Sequence, residues 1–190
     1  MAMDTRDQIL SSAQRLVQQR GFNGFSYADV ANEVGIRKAS LHHHFPTKSE
    51  LGLALIERYS SDTEQGLQRI FSENKRADDR LNAYVSLYSH SLVQNRMCLC
   101  GILASEALTL DEALRPRIDR FFARNIEWLT EVLAAGKSQR VFAFAGSAAD
   151  HARLFLSSLQ GAMLMARASG DRDGFSRTAE MLMKGLKSKS

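Results

Sequence analysis

The sequence predicts an all-α chain, and three observations carry that expectation. Apolar residues recur at three- and four-residue spacing along most of the 190 positions. The apolar–polar alternation of β-branched residues that marks strands is almost absent. Only two prolines occur, Pro46 and Pro116, so little interrupts a helical backbone.

The first helix is expected over residues 5–20, where Ile9, Ala13 and Leu16 share a face and Gly21 stops it after Arg20. A short connection, Phe22 to Phe25, leads to Ser26. Ser26 with Asp29 forms a capping box, so a second helix starts at Tyr27, carries Val30, Ala31 and Val34, and ends at Gly35. A third, about Lys38 to Phe45, is closed by Pro46, because the residue before proline disfavours helical backbone angles. Thr47 and Glu50 repeat the capping signature and open a long fourth helix through Leu51, Leu55, Tyr59 and Ile70. After a break at Asn74 to Arg76, helices are expected at 77–93, 101–109, 113–135, 147–169 and 173–187, with Pro116 in a first turn. The first three helices are short and the later ones longer, which places a domain boundary near residue 47 and divides the chain into 1–47 and 48–190.

The composition restricts the function classes. No apolar stretch is long enough to span a bilayer, so no membrane role is expected. Cys98 and Cys100 are too few for a disulfide framework, and no secretory signal opens the chain, so a reducing cytoplasm is the expected setting. There is no Gly-rich phosphate loop after a strand and no Gly-x-Ser-x-Gly, and the adjacent Asp150 and His151 make no diagnostic catalytic motif. The chain is read as not an enzyme, without cofactor. A net charge of +4, from 25 Lys and Arg against 21 Asp and Glu, is compatible with nucleic acid and equally with ordinary solubility. A claim of DNA binding therefore rests on local arrangement.

That arrangement lies in residues 26–45. Two short helices meet at a tight turn containing Gly35. Ala31 permits their close approach, while Val30, Val34, Ile36, Leu41 and Phe45 lock the crossing. The second helix of the pair presents Arg37, Lys38, Ala39, Ser40, His42 and His43, short or positive side chains with no large apolar residue among Arg37 to Ser40. Such a surface suits the major groove of B-DNA, although three small helices packed for stability show the same spacing. Ser26 and Tyr27 at one helix start and Lys48 at another are placed to hold phosphate.

In combination these residues resemble the DNA-binding domain of the TetR/AcrR family of bacterial regulators. The matching positions are Ile9, Ala13, Gly21-Phe22, Ser26, Val30-Ala31, Gly35-Ile36, the run Leu41 to Phe45, Lys48 and Leu51, about a quarter of the chain. The resemblance implies an N-terminal three-helix DNA-binding domain with a helix-turn-helix, followed by a helical effector-binding and dimerisation domain. Two positions depart from it. Arg37 stands where the family has a capping Ser or Thr, and arginine accepts no hydrogen bond. His42 replaces a tyrosine that touches DNA backbone, which makes that contact sensitive to pH.

Outside this domain, aromatic residues exceed what a slender helical core needs. Leu55, Tyr59, Tyr84, Leu87, Tyr88, Met97, Cys100, Phe121, Phe122 and Trp128 are the candidates for a small-molecule pocket, with ordinary core packing as the alternative for each. Cys98 and Cys100 are either small buried hydrophobes or oxidant-sensing thiols. Sensing requires an exposed thiolate of depressed pKa, helped by nearby Arg96. The triplet His42-His43-His44 is not a metal site, because successive helical side chains diverge by about 100°. Ala148, Ala152, Phe155, Leu159, Ala162, Met163 and Ala166, facing Phe175, Ala179, Leu182, Met183 and Leu186, are expected to build an intersubunit four-helix bundle from the last two helices of each chain. The expected function is a homodimeric, ligand-responsive regulator: a repressor released from double-stranded operator DNA by a hydrophobic or aromatic small molecule. The alternative is a helical small-molecule carrier without sequence-specific DNA binding.

Overall fold

A computed structural model describes residues 4–187, which form nine α-helices and no strand. In order these are α1 (Thr5–Arg20), α2 (Tyr27–Val34), α3 (Lys38–His44), α4 (Lys48–Glu73), α5 (Ala77–Val93), α6 (Leu99–Ser105), α7 (Arg115–Ser138), α8 (Ala148–Ser169) and α9 (Arg172–Leu186), with one 3-10 turn at Glu112–Leu114. The helix starts follow local chemistry. Ser26 and Asp29 close a reciprocal capping box at α2. At the start of α4, the Thr47 N–H donates to Glu50 and the Glu50 N–H donates to the Thr47 hydroxyl. Gly35 ends α2 in the left-handed region, at φ 76°, where a side chain would be strained. The segment expected as a helix over 101–109 is shorter. It opens at Leu99 and ends at Ser105, and turns and the 3-10 segment carry the chain to α7.

The described residues divide into two compact units, one running up to residue 62 with 98–121, the other of 63–97 with the chain from 122 onward. The start of α4 belongs to the packing of the first unit: Leu51, Leu55 and Ile56 are fully buried. Within that unit α1 packs on α2 and α6, and α2 on α3, around Ile9, Leu10, Ala13, Val17, Val30 and Leu41. Arg58 of α4 donates to the Asp7 carbonyl, the Ser11 hydroxyl and Gln14 Oε1, which fastens α4 to α1.

In the second unit α8 and α9 pack on each other and both on α5. This packing corrects the expected intersubunit seam. Ala152, Phe155, Leu159, Ala162, Met163 and Ala166 of α8 are buried in the chain's own core, as are Phe175, Ala179, Met183 and Leu186 of α9. The large apolar stripe of each helix is consumed within one chain. What remains outward on these helices is Leu154, Leu164, Met165 and Met181, each more than half exposed. On α8 they lie on the face opposite the buried stripe. No helix of the described residues is long and apolar enough to cross a membrane.

Candidate nucleic-acid interface

The first unit holds α3 up as a platform. Leu41 is its one buried residue, while Arg37, Lys38, Ala39, Ser40, His42 and His43 are exposed together and His44 is half-buried. Arg37 occupies the N-cap position and makes no capping bond with its side chain, so its guanidinium stays available to an outside partner. Beneath the platform, Ser12 of α1 donates to Glu33 of α2 at 2.6 Å, and Arg15 pairs with the same carboxylate. Arg6 lies over the Phe45 ring at 5.2 Å, a cation beside the end of α3 that the sequence pattern does not single out.

Two side chains expected to hold phosphate have other work. Tyr27 is buried, and its hydroxyl donates to the Phe45 carbonyl at 2.8 Å. Burial, with a smaller contribution from the Glu50 carboxylate, pushes its pKa up to about 12. Lys48 donates to the Phe25 carbonyl at 2.6 Å and sits over the Phe25 and Phe22 rings at 4.3 and 5.0 Å. Burial lowers its pKa against the opposing pull of Glu106 and Asp29. The pair of aromatic faces and the carbonyl supply what an ammonium otherwise finds in water, and this draws Lys48 inward. Both residues brace the helix-turn-helix. Ser26 is exposed, and its hydroxyl is engaged with Asp29 in the cap, where hydrogen bonds from Ser26 hold the Asp29 carboxyl below its ordinary pKa.

His42 stacks on Tyr27 at 4.7 Å, and its Nδ1 lies 3.3 Å from the Pro46 carbonyl. A carbonyl only accepts, so this bond assigns the proton to Nδ1 and leaves Nε2 for an external partner. In the neutral ring Nε2 is an acceptor; after protonation it donates to an anion. His43 and His44 meet edge to face at 5.8 Å. Among the described residues no group of three His, Cys, Asp or Glu could hold a metal ion.

Glu106, at the C-cap of α6, is a contributor that sequence spacing does not reveal. Its carboxylate accepts the backbone N–H of Phe22 at 3.1 Å and of Asn23 at 3.0 Å, and the Asn23 amide donates to Thr109 at 2.8 Å. The connection between α1 and α2 is thereby tied to the end of α6. A partner more than eighty positions away leaves no local signal.

The expected pocket residues divide between the units. In the first, Leu55 and Phe121 are buried, and Tyr59 stands against Phe121 at 5.5 Å. Tyr59 also bonds Cys98, and burial with that thiol beside it raises the phenol well above its ordinary pKa. Cys98 and Cys100 are both buried, and burial pushes the Cys100 thiol up. The exposure set as a condition for a sensing thiolate is not met by either cysteine in this conformation. In the second unit, Tyr84 donates to Asn125 Oδ1 at 3.1 Å and lies 3.0 Å from the Tyr88 hydroxyl, which Gln160 approaches at 3.4 Å. Trp128 stacks on Tyr84 at 5.4 Å, and its indole nitrogen is buried with no partner among the described residues. Met97 is buried, Phe122 half-buried, and Leu87 43% exposed, which leaves Leu87 outside this cluster. Asp150 and His151 form no pair: Asp150 caps α8 with Ser147, and His151 bonds the Ala145 carbonyl and packs on Phe144.

Comparison with known proteins agrees with this architecture. Residues 9–55 match the family model described as bacterial regulatory proteins, tetR family, and residues 79–181 match that of the transcriptional regulator LmrA/YxaF-like, C-terminal domain. A TetR-family transcriptional regulator from Agrobacterium tumefaciens superposes with a TM-score of 0.93 at 34% identity, covering 97% of this chain and 98% of that one. The HTH-type transcriptional repressor NemR of Escherichia coli is 27% identical over 87% of this chain and 85% of its own length. The HTH-type transcriptional regulator CymR of Pseudomonas putida is 29% identical over 93% and 86%. The two matched segments, the exposed α3 and the helical remainder place this chain in the TetR family of bacterial DNA-binding transcription regulators, which are not enzymes.

Proposed function

We propose that the chain is a cytoplasmic, homodimeric repressor that reads operator DNA with α3 and leaves it when a small molecule enters the helical domain. The observation that carries the reading is the face Arg37, Lys38, Ala39, Ser40, His42 and His43, fully presented on a helix whose underside is anchored by Leu41 and Tyr27. Arg37 and His42 are assigned to the phosphate backbone, and Lys38, Ala39, Ser40 and His43 to base edges. Ser26 supports the edge of this surface, with Tyr27 and Lys48 as positioning residues. A carrier protein has no use for such a face.

The last two helices supply the dimer seam, along the outward face rather than the buried one. Gly161 of α8 lies between Leu154 and Met165, and a methyl group added there meets nothing within its own chain. A glycine inside a helix costs about 1 kcal/mol relative to alanine. Close approach by a second chain gives it a reason, and Leu154, Leu164, Met165 and Met181 give that approach its apolar area. For the effector, the buried Tyr84–Tyr88–Asn125–Gln160 chain and the unpartnered Trp128 N–H favour an aromatic or hydrophobic body bearing a hydrogen-bond acceptor.

Selection from a random duplex library tests the DNA assignment. The expected result is enrichment of one two-fold-related sequence by the purified protein, and lost discrimination among its variants after Ser40→Ala. No enrichment contradicts the assignment. A metabolite screen against the selected duplex tests release separately. An operator complex that no metabolite dissociates retains DNA binding and rejects the switch.

A further inference from the structure

The turn that ends α5 and the one that joins α8 to α9 enclose a cleft of about 400 Å³ in the second unit. Its wall is built around arginine. At the end of α5 the chain turns through Asn95, a non-glycine residue at φ 55°. The Arg96 N–H then bonds back to the Ser91 carbonyl at 2.9 Å, and the Asn95 N–H to Leu92 at 2.9 Å. This closure of a helix C-terminus fixes where the Arg96 side chain leaves the backbone. Arg167 and Arg172 line the same cleft, over a floor that includes Leu92, Met97 and Ala166.

The acidic residues of the cleft do not balance these cations. Asp171 accepts from the Gly174 N–H at 2.9 Å as the cap of α9 and pairs with Arg177 at 2.9 Å, outside the lining. Asp173 is left to face Arg96 and Arg172. Arg96 Nε is buried and has no hydrogen-bond partner among the described residues. Basic residues near helix C-termini commonly serve the exposed carbonyls there. Arg96 Nε makes no such bond. A buried guanidinium nitrogen without a partner is costly, and a water or an anion can satisfy it.

We infer that this cleft binds a small oxyanion, a carboxylate or phosphate group carried on a short apolar body, with Arg96 and Arg172 as its principal ligands. The planar guanidinium matches either headgroup through paired hydrogen bonds, and the apolar floor takes the adjoining carbons. Binding is a property of the cleft alone; any release of DNA by the same ligand rests on the effector reading above.

The test uses the full chain in calorimetric titrations with hexanoate, with its neutral counterpart hexanamide and with inorganic phosphate, in the absence of DNA. The expected result is binding of hexanoate or phosphate, the tighter of the two naming the headgroup. Hexanamide is expected to bind weakly, and Arg96→Met and Arg172→Gln each to weaken the anion by roughly tenfold or more. Arg96→Met keeps the aliphatic stem, Arg172 is exposed, and thermal melts check that both variants fold. Arg69→Gln, exposed on α4 and outside the lining, leaves binding unchanged. No binding of either anion, equal binding of hexanoate and hexanamide without phosphate binding, or anion affinity unaltered in both cleft variants overturns the inference. Addition of the bound anion to a preformed operator complex then reports on the effector role, and its failure leaves the site itself standing.

Discussion

Lys48 and Lys38 carry the same charge and stand ten positions apart, yet their surroundings give them opposite roles. Lys38 is exposed on α3, whereas Lys48 is held by the Phe25 carbonyl and two aromatic rings. A cation that neutralises phosphate releases counterions, so its loss flattens the dependence of binding on salt by about one ion per contact. Arg37→Ala, at the phosphate backbone, is therefore expected to weaken operator binding and lower the salt slope, and Lys38→Ala, at a base edge, to relax base preference. Lys48→Ala is expected to weaken binding with the slope unchanged and to lower the melting temperature, because it removes a brace. Anisotropy titrations across salt concentrations separate the two, and a reduced slope for Lys48→Ala contradicts its assignment. Tyr27 follows the same logic: Tyr27→Phe removes the bond to Phe45 and no DNA contact.

At the scale of elements, what was legible in the sequence is what is encoded locally. The capping pairs Ser26–Asp29 and Thr47–Glu50 fix two helix starts through residues three apart, and Gly35 fixes a stop through its own backbone angles. The exposed face of α3 follows from the same short-range pattern. Residues whose role is set by distant partners were not legible. Glu106 meets Phe22 and Asn23 only in the folded chain, and Lys48 turns inward because Phe22 and Phe25 come to lie beside it. Helix α8 is apolar on two faces, and spacing alone does not say which is spent inside the chain. Phe155, Leu159 and Met163 are buried there, so the weaker stripe of Leu154, Gly161 and Met165 is the one left outward, and it is the seam proposed above. Met165→Asp is expected to shift the protein from dimer to monomer in sedimentation equilibrium while leaving its helicity intact. The same charge at Leu87, exposed on α5, serves as the control and leaves the dimer whole. A Met165→Asp protein that remains dimeric at low micromolar concentration places the seam elsewhere.

At the scale of the whole molecule, the proposed tasks divide between the two units. The first presents α3, and within it Arg58 fastens α4 to α1, Glu106 ties the α1–α2 connection to the end of α6, and Tyr59 of α4 contacts Cys98. The second holds the polar aromatic cluster, the arginine-lined cleft and the dimer face. Helix α4 runs unbroken from Lys48 to Glu73 and belongs to both. A dimer of this kind reads DNA only if its two α3 helices match successive major grooves, about 34 Å or one helical turn apart. An effector that favours a different separation by about 1.4 kcal/mol weakens the complex tenfold. The central claim, paired reading by two α3 helices at fixed spacing, is tested most directly by measuring affinity and stoichiometry on the selected operator and on a version with about half a helical turn, roughly five base pairs, inserted between its half-sites. Two protomers per duplex and loss of tight binding after the insertion are expected; a single protomer per operator, or unchanged affinity across the insertion, contradicts paired reading.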